Sequence, residues 1–189
     1  MQIVMIHGQN HRGSTYHIGK MVADALGGTV TEFFLPRDFG SFCVGCNNCF
    51  MKDESLCPHH AKLKPITDAM DDADVLILTS PVYVYHATGA MKAFLDHYGY
   101  RWMVHRPEPA MFHKQAVCVA TAAGAGMRSM RDMQDSLFFW GVPKVYRMRE
   151  GRFTLYPGPM FRKHSGAAVQ NRQMPLQKRF SGKRRYIRD

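Results

Sequence analysis

Apolar and polar positions along the first 150 residues switch repeatedly between two periods, which predicts strands and helices in turn. Short apolar runs rich in β-branched residues predict five strands, at residues 2–8, 29–36, 74–80, 115–122 and 144–149. Apolar residues recur at helical spacing in four segments between them, at residues 15–26, 61–73, 88–102 and 126–141. This alternation predicts an α/β fold.

Some of these runs, such as VLILT at residues 75–79, are apolar without interruption. Strands that are covered by helices on both faces of a parallel sheet have this composition. We therefore expect a doubly wound domain over residues 1–149. Residues 150–180 contain three prolines and no sustained helical period, so residues 150–189 are predicted to form an irregular arm.

The length of 189 residues suits one domain, and 46% of the residues are hydrophobic. No apolar run approaches the roughly 18 residues that cross a bilayer, so we expect no membrane contact. The N-terminal sequence MQIVMIHGQN lacks the pattern of a secretory signal. These observations predict a cytoplasmic protein.

The net charge of +10 is concentrated in the C-terminal segment. Residues 1–143 carry 12 Lys and Arg against 13 Asp and Glu, whereas residues 144–189 carry 13 against 2. The body therefore has no electrostatic support for nucleic-acid binding. The basic arm fits contact with a subunit or with an acidic protein surface better than contact with nucleic acid.

Ligands of open parallel sheets bind beyond the carboxyl ends of the strands, which directs attention to the loops there. The first loop, at residues 7–19, opens a helix with Ser14 and Thr15, and hydroxyls and amides at a helix N-terminus suit a phosphate. It contains neither of the two glycine-rich nucleotide motifs. Ser14 fits an ordinary helix N-cap equally well.

Two further loops follow the third and fourth predicted strands. Pro81, Tyr83 and Tyr85 give the second loop a stiff exit and aromatic surface, which suits a flat ring or simple packing. The third loop, TAAGAGM at residues 121–127, is small enough for close approach of a ligand, and it also fits a tight turn.

The second loop matches the pattern S-P-x-Y…G-x-x-K-x-F-x-D through Ser80, Pro81, Tyr83, Gly89, Lys92, Phe94 and Asp96. With this match, the three loops resemble those of the flavodoxin-like NAD(P)H-dependent FMN reductase superfamily over roughly residues 1–145. The resemblance implies a five-stranded parallel sheet of order 2-1-3-4-5. His97 departs from the family, many members of which carry Arg after the Asp.

The resemblance also implies an FMN site. The phosphate contacts fall on Gln9, His11, Ser14 and Thr15, although Gln9 and His11 replace the usual Ser and Arg of the family. The contacts to the ring and ribityl chain fall on Pro81, Val82, Tyr83, Val84, Thr121, Ala122, Ala123 and Gly124. Tyr83 and Tyr85 are expected to shape the substrate face, and no catalytic acid or base is predicted.

Four cysteines, Cys43, Cys46, Cys49 and Cys57, follow the second strand at C-x2-C-x2-C-x7-C spacing. Disulfides are the weakest explanation in a cytoplasmic protein. The spacing resembles the iron-sulfur flavoprotein branch of the superfamily, which implies a [4Fe-4S] cluster. Zinc, or four reduced thiols without metal, are the alternatives. His59 and His60 are interpreted as surface residues.

The function implied by the resemblance is that of an FMN-dependent oxidoreductase. It would pass electrons from NAD(P)H to a quinone, a flavin or another small acceptor. The alternative is an electron carrier, bearing flavin with or without a cluster, that docks an acidic redox partner through its basic arm. The family also implies a homo-oligomer, a dimer or tetramer, with the arm crossing to a neighbour.

Overall fold

The computed structural model describes residues 1–122 and 127–150 of the chain. Its core is one five-stranded, all-parallel sheet of order β2-β1-β3-β4-β5. The strands are β1 (Gln2–His7), β2 (Thr29–Phe34), β3 (Val75–Pro81), β4 (Gln115–Thr121) and β5 (Lys144–Glu150). The predicted α/β class and strand order are therefore confirmed.

The connections contain longer helices that cover the sheet and shorter ones that shape the loops. The α-helices are α1 (Ser14–Leu26), α2 (Asn48–Met51), α3 (His60–Asp72), α4 (Gly89–Asp96), α5 (Tyr100–Met103) and α6 (Met127–Phe139). Short 3-10 turns lie at Glu54–Leu56 and Pro109–His113.

The helix predicted over residues 88–102 is two helices, α4 and α5. The helix is interrupted near Gly99, and a side-chain carbon added to this glycine would lie 3.2 Å from the ring of Phe50. The glycine lets the ring of Phe50, in α2, pack against the break. The segment that is periodic in sequence is therefore divided into two helices at the place where Phe50 packs.

Alternate residues of each central strand point to opposite faces of the sheet. In β1, Ile3 and Met5 pack with the apolar face of α1, whereas Val4 and Ile6 pack with α3, α4 and α6. Burial on both faces explains the uninterrupted apolar runs. None of the helices within residues 1–122 and 127–150 is long and apolar enough to cross a membrane.

All five strands end at one edge of the sheet, which brings the loops after β1, β3 and β4 together. The cysteine segment follows β2 and leaves from the same edge. Of the arm predicted at 150–189, Glu150 ends β5, and the other residues lie outside the described part of the chain.

Candidate functional site

The loop after β1 presents an open helix N-terminus. The N-cap of α1 is Gly13, which offers no side-chain acceptor, and the first helical hydrogen bond runs from the His17 amide to the Gly13 carbonyl at 3.1 Å. Amides of the first turn therefore have no acceptor within the helix. The interpretation of Ser14 as N-cap is wrong, because Ser14 is the first residue of the helix itself. Such an N-terminus suits an anion.

Two predicted phosphate contacts flank this N-terminus. A side-chain carbon added at Gly13 would lie 2.9 Å from the His11 ring and 3.5 Å from the Gln9 amide nitrogen. Gln9 is buried and His11 is exposed. The side chains of His11 and Gln9 therefore lie directly against Gly13, at the N-terminus of α1.

Thr88 joins the first loop to the second. Its hydroxyl donates to the Gly8 carbonyl at 2.5 Å and accepts from the Met91 amide at 3.2 Å, which caps α4. Its amide donates to the Ser80 hydroxyl at 3.0 Å. A side-chain carbon at Gly8 would lie 2.8 Å from the Thr88 hydroxyl, so only glycine fits this junction.

Thr121 joins the third loop to both of the others. Its hydroxyl lies 2.5 Å from that of Thr15 in the first turn of α1, and its carbonyl accepts from the Val82 amide at 2.9 Å. Ala122 beside it is half-buried. The predicted contacts at Ala123 and Gly124 lie outside the described residues.

The second loop forms a tight turn from Tyr83 to His86, whose amides and carbonyls bond reciprocally at 3.0 and 3.1 Å. Val84 and Tyr85 occupy its centre with φ of 47° and 71°. Both angles positive mark a type I′ turn, which Asn and Gly usually form. A β-branched residue there is strained, and strain of this kind is concentrated at functional sites.

Asp132 of α6 fixes that turn. Its carboxylate accepts from the Ala87 amide at 3.1 Å and lies 3.2 Å from Nδ1 of His86. Beyond this anchor, Tyr83, Val84 and Tyr85 are 52%, 88% and 64% exposed. The turn therefore presents apolar surface beside the three joined loops, where the predicted ring would lie.

His7 ends β1 and begins the first loop, and its sequence context predicts no particular role for it. Nδ1 of its ring lies 2.9 Å from the Thr79 hydroxyl, and the ring stacks on Phe34 at 4.5 Å. Burial, and secondarily the charge of Arg12, lower the pKa of His7 to about 4. It is therefore a neutral structural support at physiological pH.

The cysteine segment curls around one small cavity. Gly45 and Asn47 have φ of 64° and 58°, and these left-handed residues bend the backbone between successive cysteines. The resulting cavity, of about 40 Å³, is lined by all four predicted metal ligands, Cys43, Cys46, Cys49 and Cys57. The structure thus brings together thiols that the sequence spreads over 15 residues.

The pKa of the Cys49 thiol reflects its burial beside the other three thiols. Burial is the main cause that raises the pKa of Cys49, and the charges of Cys57, Cys43 and Cys46 raise it further. A bound cation would offset both effects by stabilising the thiolates. Cys118 lies apart in β4, where burial raises its pKa to about 12, as expected for an inert thiol.

Two histidines lie beside one of these cysteines, Cys57. Nε2 of His97 lies 2.9 Å from Nδ1 of His59, and one ring nitrogen of each histidine lies within 4.8 Å of the Cys57 sulfur. Nδ1 of His97 donates to the Ala93 carbonyl at 2.7 Å, which leaves Nε2 as the acceptor and is typical of metal-binding histidines. The interpretation of His59 as a surface residue is wrong, since it is half-buried against Phe39.

The sequence matches the family described as NADPH-dependent FMN reductase over residues 1–154. The chain belongs to this family. Similar curated proteins are an iron-sulfur flavoprotein of Archaeoglobus fulgidus, 30% identical over 107 residues, and one of Methanocaldococcus jannaschii, 32% identical over 100 residues. These matches cover 56% and 51% of this chain and 46% and 51% of the relatives, so the chain spans about half of their length.

Solved structures of the same fold are more distant in sequence. An NAD(P)H:quinone oxidoreductase from Methanothermobacter marburgensis has a TM-score of 0.71 at 16% identity, with 94% of this chain and 97% of that chain covered. A Bacillus anthracis FMN-dependent NADH-azoreductase, solved in complex with FMN, has a TM-score of 0.62 at 11% identity, with 96% and 98% covered. These likenesses establish the flavodoxin-like fold.

Proposed function

We propose that this member of the FMN reductase family is an FMN-dependent oxidoreductase that takes electrons from NAD(P)H and passes them to a small acceptor. The observation that carries the proposal is the junction of three loops through Thr15, Thr88 and Thr121 beside the open N-terminus of α1. This junction would bring a phosphate site and a ring site close together, which supports the proposal.

Each loop has a separate task in binding. The first turn of α1, with Ser14 and Thr15, would hold the phosphate, and Gln9 and His11 would flank it. The second loop, from Pro81 to Tyr85, would lie along the ring. Thr121 and Ala122, with Ala123 and Gly124, would lie along the ribityl chain. When bound there, FMN would supply hydride acceptance and electron release.

We further propose that Cys43, Cys46, Cys49 and Cys57 hold a [4Fe-4S] cluster, which would supply one-electron transfer. The shared cavity and the spacing support this assignment, as do the names of the curated relatives. Zinc is the competing occupant, favoured by the two histidines at Cys57. Metal analysis separates the two.

The test is an ultraviolet-visible spectrum of the full chain purified without oxygen, before and after addition of NADPH. Bound flavin that bleaches with NADPH supports the oxidoreductase, and iron that is lost in Cys46→Ser but kept in Cys118→Ala supports the cluster. A protein that neither contains nor takes up FMN contradicts the main proposal. Zinc in place of iron contradicts the cluster alone.

A second candidate, an electron carrier, is favoured by the exposure of Cys43 and Cys46. A cluster held there would lie near the surface, within reach of a docked partner, and the basic C-terminal segment would suit an acidic one. Rapid NADPH oxidation with a small acceptor supports the enzyme. Reduction only through a protein partner supports the carrier.

We also propose a homo-oligomer, a dimer or tetramer. Trp102 and Phe139 stack at 4.5 Å while remaining 42% and 44% exposed, and Phe138 beside them is 67% exposed. Exposed aromatic surface of this kind is typical of protein interfaces. Sedimentation of the full chain as a monomer at micromolar concentration would contradict this proposal.

A further inference from the structure

A second and larger cavity lies behind the cysteine segment. Its volume is about 310 Å³, and residues of α3, of the Glu54–Leu56 turn and of the 97–108 segment enclose it. Cys49, Cys57 and His97 line both this cavity and the smaller one. The cavity therefore adjoins the proposed metal site, and its volume falls within the range of small-molecule sites.

Arg101 is the most unusual residue of the wall. It is 2% exposed, and its Nη2 donates to both oxygens of Asp71, at 2.9 and 3.1 Å. Its Nε and Nη1 are buried, and neither makes a hydrogen bond of normal geometry among the described residues, although the Tyr100 hydroxyl also interacts with the guanidinium. Buried donors without acceptors are destabilising, so they favour a ligand that offers oxygen acceptors.

The charges around the cavity determine whether an anionic or a neutral oxygen acceptor would bind. Each of its three cations already has a carboxylate partner: Lys64 with Asp68 at 2.6 Å, Arg101 with Asp71 at 2.9 Å, and Arg106 with Glu54 at 3.1 Å. Glu108 is a fourth carboxylate on the wall. Because the wall has no excess positive charge, it disfavours an anion and suits a neutral acceptor.

The wall also offers aromatic surface. Tyr98 and Tyr100 are 1% and 8% exposed and line the cavity, and the guanidinium of Arg101 lies 5.2 Å from the centre of the Tyr98 ring. Rings of this kind can contact the face of a small flat molecule while Arg101 meets its oxygen.

We propose that this cavity binds a small neutral molecule, as the electron acceptor beside the cysteine site, whose carbonyl or nitro oxygen accepts hydrogen bonds from Nε and Nη1 of Arg101. The role as electron acceptor rests on the proposed function, whereas binding does not. Reduction of a quinone to a hydroquinone needs two electrons and two protons. The hydride of NADPH supplies both electrons and one proton, and solvent supplies the second proton.

A matched pair of probes tests both the site and its charge preference. The full chain is labelled with ¹⁵N-arginine, kept oxidised without NADPH, and titrated with neutral 4-nitrobenzamide and with anionic 4-nitrobenzoate. We expect 4-nitrobenzamide to shift the Nε–H resonance of Arg101 in a saturable way and to leave that of the exposed Arg37 unchanged. We expect 4-nitrobenzoate to bind at least about tenfold more weakly.

Arg101→Lys keeps the charge beside Asp71, removes the two free donors and identifies the Arg101 resonance. Its affinity for 4-nitrobenzamide should fall by about tenfold or more, whereas Arg37→Lys should bind as the parent does. An unchanged affinity in a folded Arg101→Lys protein overturns the proposal. If that variant does not fold, the titration of the parent decides alone, and an unmoved Arg101 resonance or a preference for 4-nitrobenzoate overturns it.

The titration also separates this inference from the proposed function. If the protein contains FMN but 4-nitrobenzamide does not shift the Arg101 resonance, the proposed function stands and the proposed cavity site is contradicted. If the protein binds 4-nitrobenzamide at Arg101 but does not bind flavin, the cavity site stands and the proposed oxidoreductase function is contradicted.

Discussion

The hydroxyls of Thr15 and Thr121 lie 2.5 Å apart although the two residues are 106 positions apart in sequence. This contact ties the first turn of α1 to the end of β4. Thr15 is 2% exposed, so its hydroxyl depends on this partner rather than on solvent. The pair therefore sets the position of the proposed phosphate site relative to the proposed ribityl site.

Replacing Thr121 with Val should weaken FMN binding. The variant keeps the shape of the side chain but removes the partner of Thr15, and a net hydrogen bond contributes about 0.5–1.5 kcal/mol. We expect the dissociation constant of FMN to rise by about 3- to 10-fold, measured by quenching of flavin fluorescence. Thr31→Val, at an exposed position of β2, is the control. Equal FMN affinity in the parent and in Thr121→Val would contradict this role.

Replacing Val84 with Gly should stabilise the fold. Val84 is 88% exposed and has φ of 47°, so the exchange removes strain at almost no loss of burial. We expect the free energy of unfolding in urea to rise by about 1 kcal/mol. Val44, which is 64% exposed without a positive φ, is the control, and Val44→Gly should give no gain. A destabilised Val84→Gly protein would show that the Val84 side chain stabilises the fold by more than the backbone strain destabilises it.

Local pattern was sufficient for the sheet and insufficient for one helix. Both faces of the central strands are covered, so both sets of side chains must be apolar. Uninterrupted apolar runs such as residues 75–79 therefore identify these strands. The break near Gly99 was not predicted, and the residue that packs there, Phe50, lies almost 50 residues earlier in the sequence. Helical period carries no information on such a contact.

The same difference between local pattern and long-range packing explains which residues of the candidate sites could be predicted. The cysteines could be assigned to one site because their spacing is short, whereas His97 reaches Cys57 only after α3 and α4 have packed. Arg101 could not be identified either, since its two unpaired nitrogens follow from burial and not from sequence. Three-dimensional packing therefore supplied the residues that local motifs missed.

The pH dependence of stability should contain a contribution from His7. Its pKa is about 4 in the fold and 6.5 in the unfolded chain, so the fold favours the neutral ring. That contribution is complete above pH 6.5, falls as the unfolded chain binds a proton between pH 6.5 and 4, and levels off below pH 4. We expect a loss of up to about 3 kcal/mol in the free energy of unfolding.

His7→Asn should flatten this dependence. The Asn amide can still reach the Thr79 hydroxyl, but it does not titrate. The groups that face the ring, Glu32 at 3.9 Å and Arg12 nearby, remain in the variant. Urea unfolding at pH 7.5, 5.5 and 4.5 measures the effect, with the same exchange at the exposed His113 as control. A slope equal to that of the parent would assign the pH dependence to other groups.

Arg106 should control how firmly the cysteine segment holds the proposed metal. Its guanidinium donates to the carbonyls of Cys49 and, at 3.1 Å, Lys52, and it pairs with Glu54 at 3.1 Å, so it fixes both ends of the segment that joins two ligands. Arg106→Gln should increase the metal lost to a chelator by about 10-fold or more, as outer-shell changes commonly do.

A second readout of the same variant does not depend on metal. Without the anchor, the half-buried Cys49 should react faster with a thiol reagent in metal-free protein, because local opening exposes it more often. Arg37→Gln removes a comparable exposed ion pair, with Asp38, and serves as the control in both assays. Unchanged thiol reactivity together with unchanged metal retention would mean that the backbone turns at Gly45 and Asn47 hold the site without Arg106.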